Sequence, residues 1–317
     1  MAHVRSQPAF QTFKHERNVL AKNMPGVPLS SLNDLLPKEG SLMHWCLVQI
    51  VRDWEFNVVY LQYYFPSLAP ITKMVLVAYL GKYSPNGIGI QGLRLLFDPE
   101  YAQDELDSVT ESFDDDDDVV KAALEDRNDR ITTLDLSFQI DDSNLSLATF
   151  ARFIAPKASI SSDSWQLALP SSRAFPFLSA LSLSHPTTVS PTKLWSSLIS
   201  VLKSQPTLVA LSLANWPIPP DMFYSSPHAQ AQIYPSQPAI STLQTLSKTA
   251  FCLKWIDFSY CGWIDDRVIA SAEWSSPGWS SLKTIVLREI DITVCERIRE
   301  VILTARQGVQ EDIIIVT

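Results

Sequence analysis

A chain of 317 residues, 46% of them hydrophobic, has material for one elongated or two compact domains with a sizeable core, which excludes wholesale disorder. A formal net charge of −9 argues against general nucleic-acid or anionic-membrane binding. Only 9 glycines stand against 21 prolines, so the glycine-rich phosphate loops of nucleotide-binding folds are poorly provided for.

Residues 1–30 read as a flexible, proline-punctuated tail. They carry Arg5, Lys14, Arg17 and Lys22 against Glu16 and lack the apolar segment of a secretory leader. Their amphipathic order is too slight to favour a mitochondrial presequence over a mobile basic tail. The four cysteines, Cys46, Cys252, Cys261 and Cys295, form no CxxC pair and, with five scattered histidines, no zinc spacing. They are expected to be buried thiols in a reducing compartment, cytoplasmic or nuclear, and no metal or cofactor is expected.

Residues 31–100 read as a helical module. The apolar stretch LMHWCLVQIVRDWEFNVVYLQYYF, Leu42 to Phe65, is interrupted by His44, Gln49, Arg52, Asp53, Glu55, Asn57 and Gln62. Such charges are costly at a bilayer centre, so the prediction is one or two buried helices and no membrane span. Ile71, Met74, Val75, Val77, Leu80 and Tyr83 then follow helical spacing, and Gly81 with the SPNGIG turn is expected to end that helix. A short element, IQGLRLLF, closes at Phe97. Residues 101–130 are strongly acidic, with five consecutive aspartates from Asp114 to Asp118, and read as a solvated linker or loop.

From Ile131 to the last residue, 317, one template recurs: ITTLDLSF, LSALSLSH, LVALSLAN, LKWIDFSY and LKTIVLRE, each apolar at positions one, four and six. Leu178 to Leu208 is 30 residues and Leu253 to Leu282 is 29; the gaps of 47 and 45 elsewhere carry proline- and serine-rich insertions. DIIIVT supplies a last strand. Helical stretches intervene. Ser190 and Pro191 open one with Leu194, Leu198, Val201 and Leu202 as its apolar stripe. Thr293 and Glu296, at capping-box spacing, open another. Strand then helix, repeated, gives a parallel sheet with crossovers.

Residues 131–317 resemble the leucine-rich repeat in its ribonuclease-inhibitor-like form, on Leu208, Leu211, Leu213 and Asn215, and on Leu253, Ile256, Phe258 and Cys261. The resemblance implies an α/β fold: a short leucine-rich-repeat solenoid, with parallel strands on the concave side and helices on the convex side, behind the helical module. The asparagine ladder of the family is mostly absent. Cys261 is then a small hydrophobe at the turn after a strand.

Alternation along the strands assigns Thr133, Asp135, Ser137 and their equivalents to the concave face. Its C-terminal end offers an aromatic, Trp255, an acid, Asp257, and an arginine, Arg288. These residue types anchor interfaces, so Trp255, Asp257 and Arg288, with Asp135, are the candidate partner-binding residues. No GxxxxGK[ST] loop, G-x-S-x-G elbow or H-E-x-x-H helix is present, and His185 beside its serines lacks a third orienting group. The expected function is a non-catalytic scaffold or adaptor that binds another protein on the concave face. A helical module ahead of leucine-rich repeats resembles F-box substrate receptors of ubiquitin ligases, which implies an adaptor protein on the N-terminal helices. The alternative is a structural subunit of a stable multi-protein or ribonucleoprotein assembly. In this register Leu211→Asp should unfold the array while Ser212→Asp is tolerated.

Overall fold

The computed structural model describes residues 36–98, 128–155, 174–186, 189–220, 237–275, 278–306 and 313–317. The basic tail, the Asp114–Asp118 run and most of the long insertions lie outside them. Among the described residues the chain is α/β, with six parallel strands in sequential order β1-β2-β3-β4-β5-β6. Four helices come first: α1 (Leu42–Arg52), α2 (Trp54–Tyr60), α3 (Pro70–Tyr83) and α4 (Gly89–Phe97). Strands and helices then alternate: β1 (Thr133–Asp135), α5 (Leu147–Ile154), β2 (Ala180–Ser182), α6 (Pro191–Ser204), β3 (Ala210–Ser212), α7 (Gln237–Thr249), β4 (Trp255–Asp257), α8 (Asp266–Ala270), β5 (Thr284–Val286), α9 (Ile292–Ala305) and β6 (Ile314–Val316). No helix among the described residues is long and apolar enough to cross a membrane.

The register explains the template. Leu134, Leu181, Leu211, Ile256, Ile285 and Ile315 align across the sheet as one row. The template's first, fourth and sixth residues in the first five strands are all buried. Each such Leu, Ile or Phe contributes about 1.5–3 kcal/mol on burial, which fixes the register.

The first five strands end in the same way. Phe138, His185, Asn215, Tyr260 and Glu289, the eighth template residue each time, adopt left-handed φ of 55° to 63°. For side chains other than glycine this costs roughly 1–2 kcal/mol per residue. It persists because the amides of four of them extend the ladder: Phe138 donates to Ser184 O at 2.9 Å, His185 to Ala214 O at 2.8 Å, Asn215 to Ser259 O at 2.8 Å and Tyr260 to Arg288 O at 2.9 Å. At three of the five turns the side chain of the ninth residue reaches a carbonyl. Trp216 Nε1 donates to Leu183 O at 2.7 Å and Cys261 Sγ to Leu213 O at 3.3 Å, both across to the preceding strand, while Gln139 Nε2 donates to Asp135 O at 3.0 Å. Asn215 is the eighth residue, not the ninth, and is exposed.

The N-terminal helices share one continuous core with the strands. α3 is buried on nearly every side and packs on β1. Gly81 lies inside α3 instead of ending it. A Cβ there would stand 2.5 Å from Ser137 O, so glycine is required by the close approach. Gln139 joins the two parts, donating to Val77 O and accepting from Ile88 N, both at 3.0 Å.

Two capping expectations change. α9 starts after Asp291, whose carboxylate accepts from Thr293 N at 2.7 Å and from Thr293 Oγ1 at 2.6 Å, so the Thr293–Glu296 capping box does not form. Ser190 precedes Pro191 at the start of α6 as expected, but its hydroxyl makes no cap bond.

Candidate functional site

The residues singled out on the sheet face do not form one exposed patch. Trp255, the expected exposed aromatic, is only 6% exposed and packs with Ala180, Ala210 and Val286, Val316 lying at the margin. The register sets it beside Ala210 and Thr284, and these small neighbours leave room for the indole to bury. Its Nε1 has no hydrogen-bond partner among the described residues. Asp257 and Arg288 are half-buried on adjacent strand ends. Asp135 belongs to β1, three strand spacings or roughly 14 Å from Asp257.

The space between the two aspartates is filled by a row of serines that sequence reading places in solvent. Ser137, Ser182, Ser184 and Ser212 are all buried. Their hydroxyls meet in series: Ser137 to Ser182 at 2.6 Å, Ser182 to Ser184 at 3.2 Å, Ser184 to Ser212 at 2.6 Å, and Ser212 to Asp257 Oδ2 at 2.8 Å. Proton counting gives the row a direction. A carboxylate only accepts, so Ser212 spends its proton on Asp257; Ser184 must then donate to Ser212, Ser182 to Ser184 and Ser137 to Ser182. Asp257 Oδ1 takes two further bonds, from Ser259 N at 2.9 Å and Ser259 Oγ at 2.6 Å. At the far end Asp135 Oδ1 accepts from Ser137 N at 3.0 Å. The serine row is satisfied within the chain, and such a chain of bonds polarises its members.

Beyond this row, the ring of His185 lies flat on Phe138, centroids 4.5 Å apart at 7°, with Tyr260 at 6.1 Å. An open groove of about 480 Å³ lies beside it, lined by Pro186, Val189, Leu194, Asn215, Trp216 and Pro217, with no titratable side chain in the lining. Among the described residues no three His, Cys, Asp or Glu side chains are placed to hold a metal ion. Cys261 is fully buried and burial pushes its thiol up to about 12. Cys295 is also buried, but Cys252 is only partly so and Cys46 is exposed on α1, against the expectation that all four are interior.

A second surface departs further from expectation. α1 and α2 form as two helices, yet they are not buried. Their inner side, with His44, Leu47, Val51 and Trp54, joins the core, where His44 Nδ1 meets Tyr79 Oη at 2.9 Å and Trp54 Nε1 donates to Ile88 O at 2.9 Å. The outer side exposes large apolar residues, Leu42 at 80%, Trp45 at 57%, Val59 at 64% and Tyr60 at 66%, with Tyr64 at 68% just past α2, and Gln49, Arg52, Asp53 and Glu55 are exposed among them. Phe56 and Tyr60 stack on one another at 3.9 Å, in the open. A helix apolar all round normally lies inside a protein. The sequence carries this signal, since residues 42–65 are apolar at both helical faces, but it does not say that the second face lacks cover within the chain.

No family model matches the chain, and no curated protein or solved structure does.

Proposed function

We propose that the protein is a non-catalytic scaffold for protein–protein interaction, acting in the cytoplasm or nucleus, with a short leucine-rich-repeat-like solenoid behind a helical docking module. The observation that carries this reading is the set of large apolar side chains exposed on two successive helices, Leu42 and Trp45 on α1 and Phe56, Val59 and Tyr60 on α2, with Tyr64 just beyond. Large aromatic and aliphatic side chains gathered exposed on one segment point to an interaction site. The solenoid reading is supported by the sequential parallel strands, the single buried register and the turn repeated after each strand.

In the receptor form of this proposal, the α1–α2 face takes the adaptor subunit of a cullin-type ubiquitin ligase, and the sheet face holds the substrate through Asp135, Asp257 and Arg288, with Trp255 as their packed support. The test is titration of the purified chain with that adaptor, followed by calorimetry. Binding that is lost in Trp45→Ser and Tyr60→Ser supports the receptor form, and absence of binding by the unmodified chain removes it.

A second reading has its own observation. The exposed side of α1 and α2 is rich in rings and aliphatic side chains, with Arg52, Asp53 and Glu55 between them, and permanent interfaces are the more hydrophobic class. The protein would then be a fixed subunit of a stable assembly. Mild purification of the tagged chain would return the same partners at constant stoichiometry, insensitive to Asp257→Asn and Arg288→Ala.

A further inference from the structure

The outer side of α1 and α2 is patterned. On the inner side His44, Leu47, Val51 and Trp54 are buried and Val58 and Leu61 half-buried, at alternating spacings of three and four. The phase holds across Asp53, where the helices meet, because the backbone ladder runs on: Asp53 N donates to Gln49 O at 3.4 Å and Asn57 N to Asp53 O at 2.9 Å. Two residues before each inner position stands an exposed one: Leu42, Trp45, Gln49, Arg52, Phe56 and Val59. Two residues turn a helix by about 200°, so these form one line on the opposite side. A line at alternating spacings of three and four is the seam of a helix pair. Its ends are apolar and its middle, Gln49 and Arg52, is polar. Asp53 and Glu55 flank Arg52, one on each side of the line. All three charged residues are exposed and make no ion pair among the described residues. Asp53 accepts from Gln49 Nε2 at 2.6 Å and Glu55 from Asn86 Nδ2, neutral donors that leave both negative charges uncompensated.

We propose that this seam takes an amphipathic helix of another protein, apolar toward both its ends, acidic at its centre against Arg52, and basic on its flanks against Asp53 and Glu55. The proposal rests on the reading of α1 and α2 as a docking face and names the chemistry of what docks there. A helix fits because its side chains interlock with a line of this spacing; an extended strand, with a period of two, does not. From Leu42 to Val59 the seam is about 25 Å long, so the partner needs about five turns. The charges set the partner's composition and exclude a second copy of the chain. Laid antiparallel on itself about Arg52, the seam would set Arg52, Asp53 and Glu55 each against its own like. Laid parallel, it would set Arg52 on Arg52 and Glu55 on Asp53. Like charges across a helix pair select against it.

Selection tests it: a displayed library of single helices, about six turns long and varied at seam and flank positions, is screened against the immobilised full chain. Enriched helices are expected to carry leucine toward both ends of the seam, glutamate at its centre and lysine on the flanks. Arg52→Glu should weaken an enriched helix about fivefold or more, and lysine in place of the central glutamate should restore binding. Trp45→Ser with Phe56→Ser should cost about tenfold or more. All three side chains are exposed, so thermal melting should find these variants folded like the parent. A library that yields no enriched helix overturns the proposal, and so does an enriched set that ignores Arg52→Glu. If that set still fails on Trp45→Ser with Phe56→Ser, the docking face stands and only the chemistry assigned to its partner falls. Helices indifferent to all three substitutions remove both.

Discussion

The α1–α2 surface and the sheet face invert what their residue types suggest. The first is built of large apolar side chains and is exposed; the second is built largely of serine, alanine and aspartate and is closed. The difference lies in whether a side chain finds its complement within the chain. Serine hydroxyls on neighbouring strands lie within bonding distance of one another, and the row ends on a carboxylate. Trp45, Val59 and Tyr60 have a saturated core behind them and no further element in front among the described residues. Exposure here measures missing partners, not polarity.

The largest break in this comparison comes from Leu211, whose side chain is completely buried between neighbouring rungs. Leu211→Asp strands a carboxylate among apolar neighbours and should cost more than about 4 kcal/mol, unfolding the strand region at ordinary temperature. Ser212→Asp, which sequence reading treats as harmless, is not so in the structure. It sets a second carboxylate against Asp257 and removes the hydroxyl proton that Ser212 now donates to it at 2.8 Å. A loss of about 2–3 kcal/mol is expected. Urea denaturation of the two variants ranks them, and a Ser212→Asp protein as stable as the parent would show that the serine row contributes nothing.

This pair also shows what the sequence made legible. Leu211 and its equivalents announce themselves, because apolar residues at positions one, four and six leave one register that buries them all. Ser212 gives no sign of its burial, since a serine is read as solvent-facing unless its partner is known, and the partner Asp257 is 45 residues away. The turn after each strand is equally silent. Phe138, His185, Asn215, Tyr260 and Glu289 share a backbone conformation but no side-chain chemistry. Of the four candidate partner-binding residues, Asp135, Trp255 and Asp257 stand on strands and Arg288 lies two residues past the end of β5, while Trp255 is buried where exposure was expected. The helix pair Leu42–Tyr60 was legible as helix, while its open side depended on what the rest of the chain failed to place over it.

Next in size is Gly81→Ala, which tests the joint between the helices and the strands. The added methyl meets Ser137 O at 2.5 Å, and the carbonyl belongs to the backbone of the first strand turn, so it cannot swing aside. Destabilisation of about 2 kcal/mol is expected, read as a shift of the urea midpoint. Because the core is continuous across this joint, the helical and strand regions should still unfold together.

A smaller effect, confined to alkaline solution, belongs to the buried face. The Cys261 thiol is raised from 9.0 to about 12 by burial, and the Tyr79 phenol from 10.0 to about 12 by burial and by Tyr83 and Glu39. In the unfolded chain these groups release protons first, so the unfolded state binds fewer protons between pH 9 and 12 and stability falls as pH rises. The contribution is complete below about pH 9. Urea midpoints at pH 7, 9 and 10.5 should decline, and Cys261→Ala should flatten the decline that begins at the lower pH. At pH 8, alkylation should reach exposed Cys46 well before Cys261.

The smallest effect on stability is also the sharpest statement about the open face. Trp45→Ser with Tyr60→Ser removes two large rings that are more than half exposed. If their outer faces touch nothing in the folded chain, the double variant should unfold within about 0.5 kcal/mol per site of the parent, as surface changes do. It should also bind less of a solvatochromic apolar dye and show less non-specific association on concentration. A rise in solubility at unchanged stability means that the face is kept for something outside the chain. A loss of several kcal/mol would mean that these rings are part of the core after all, and that the contrast between the two surfaces is one of degree.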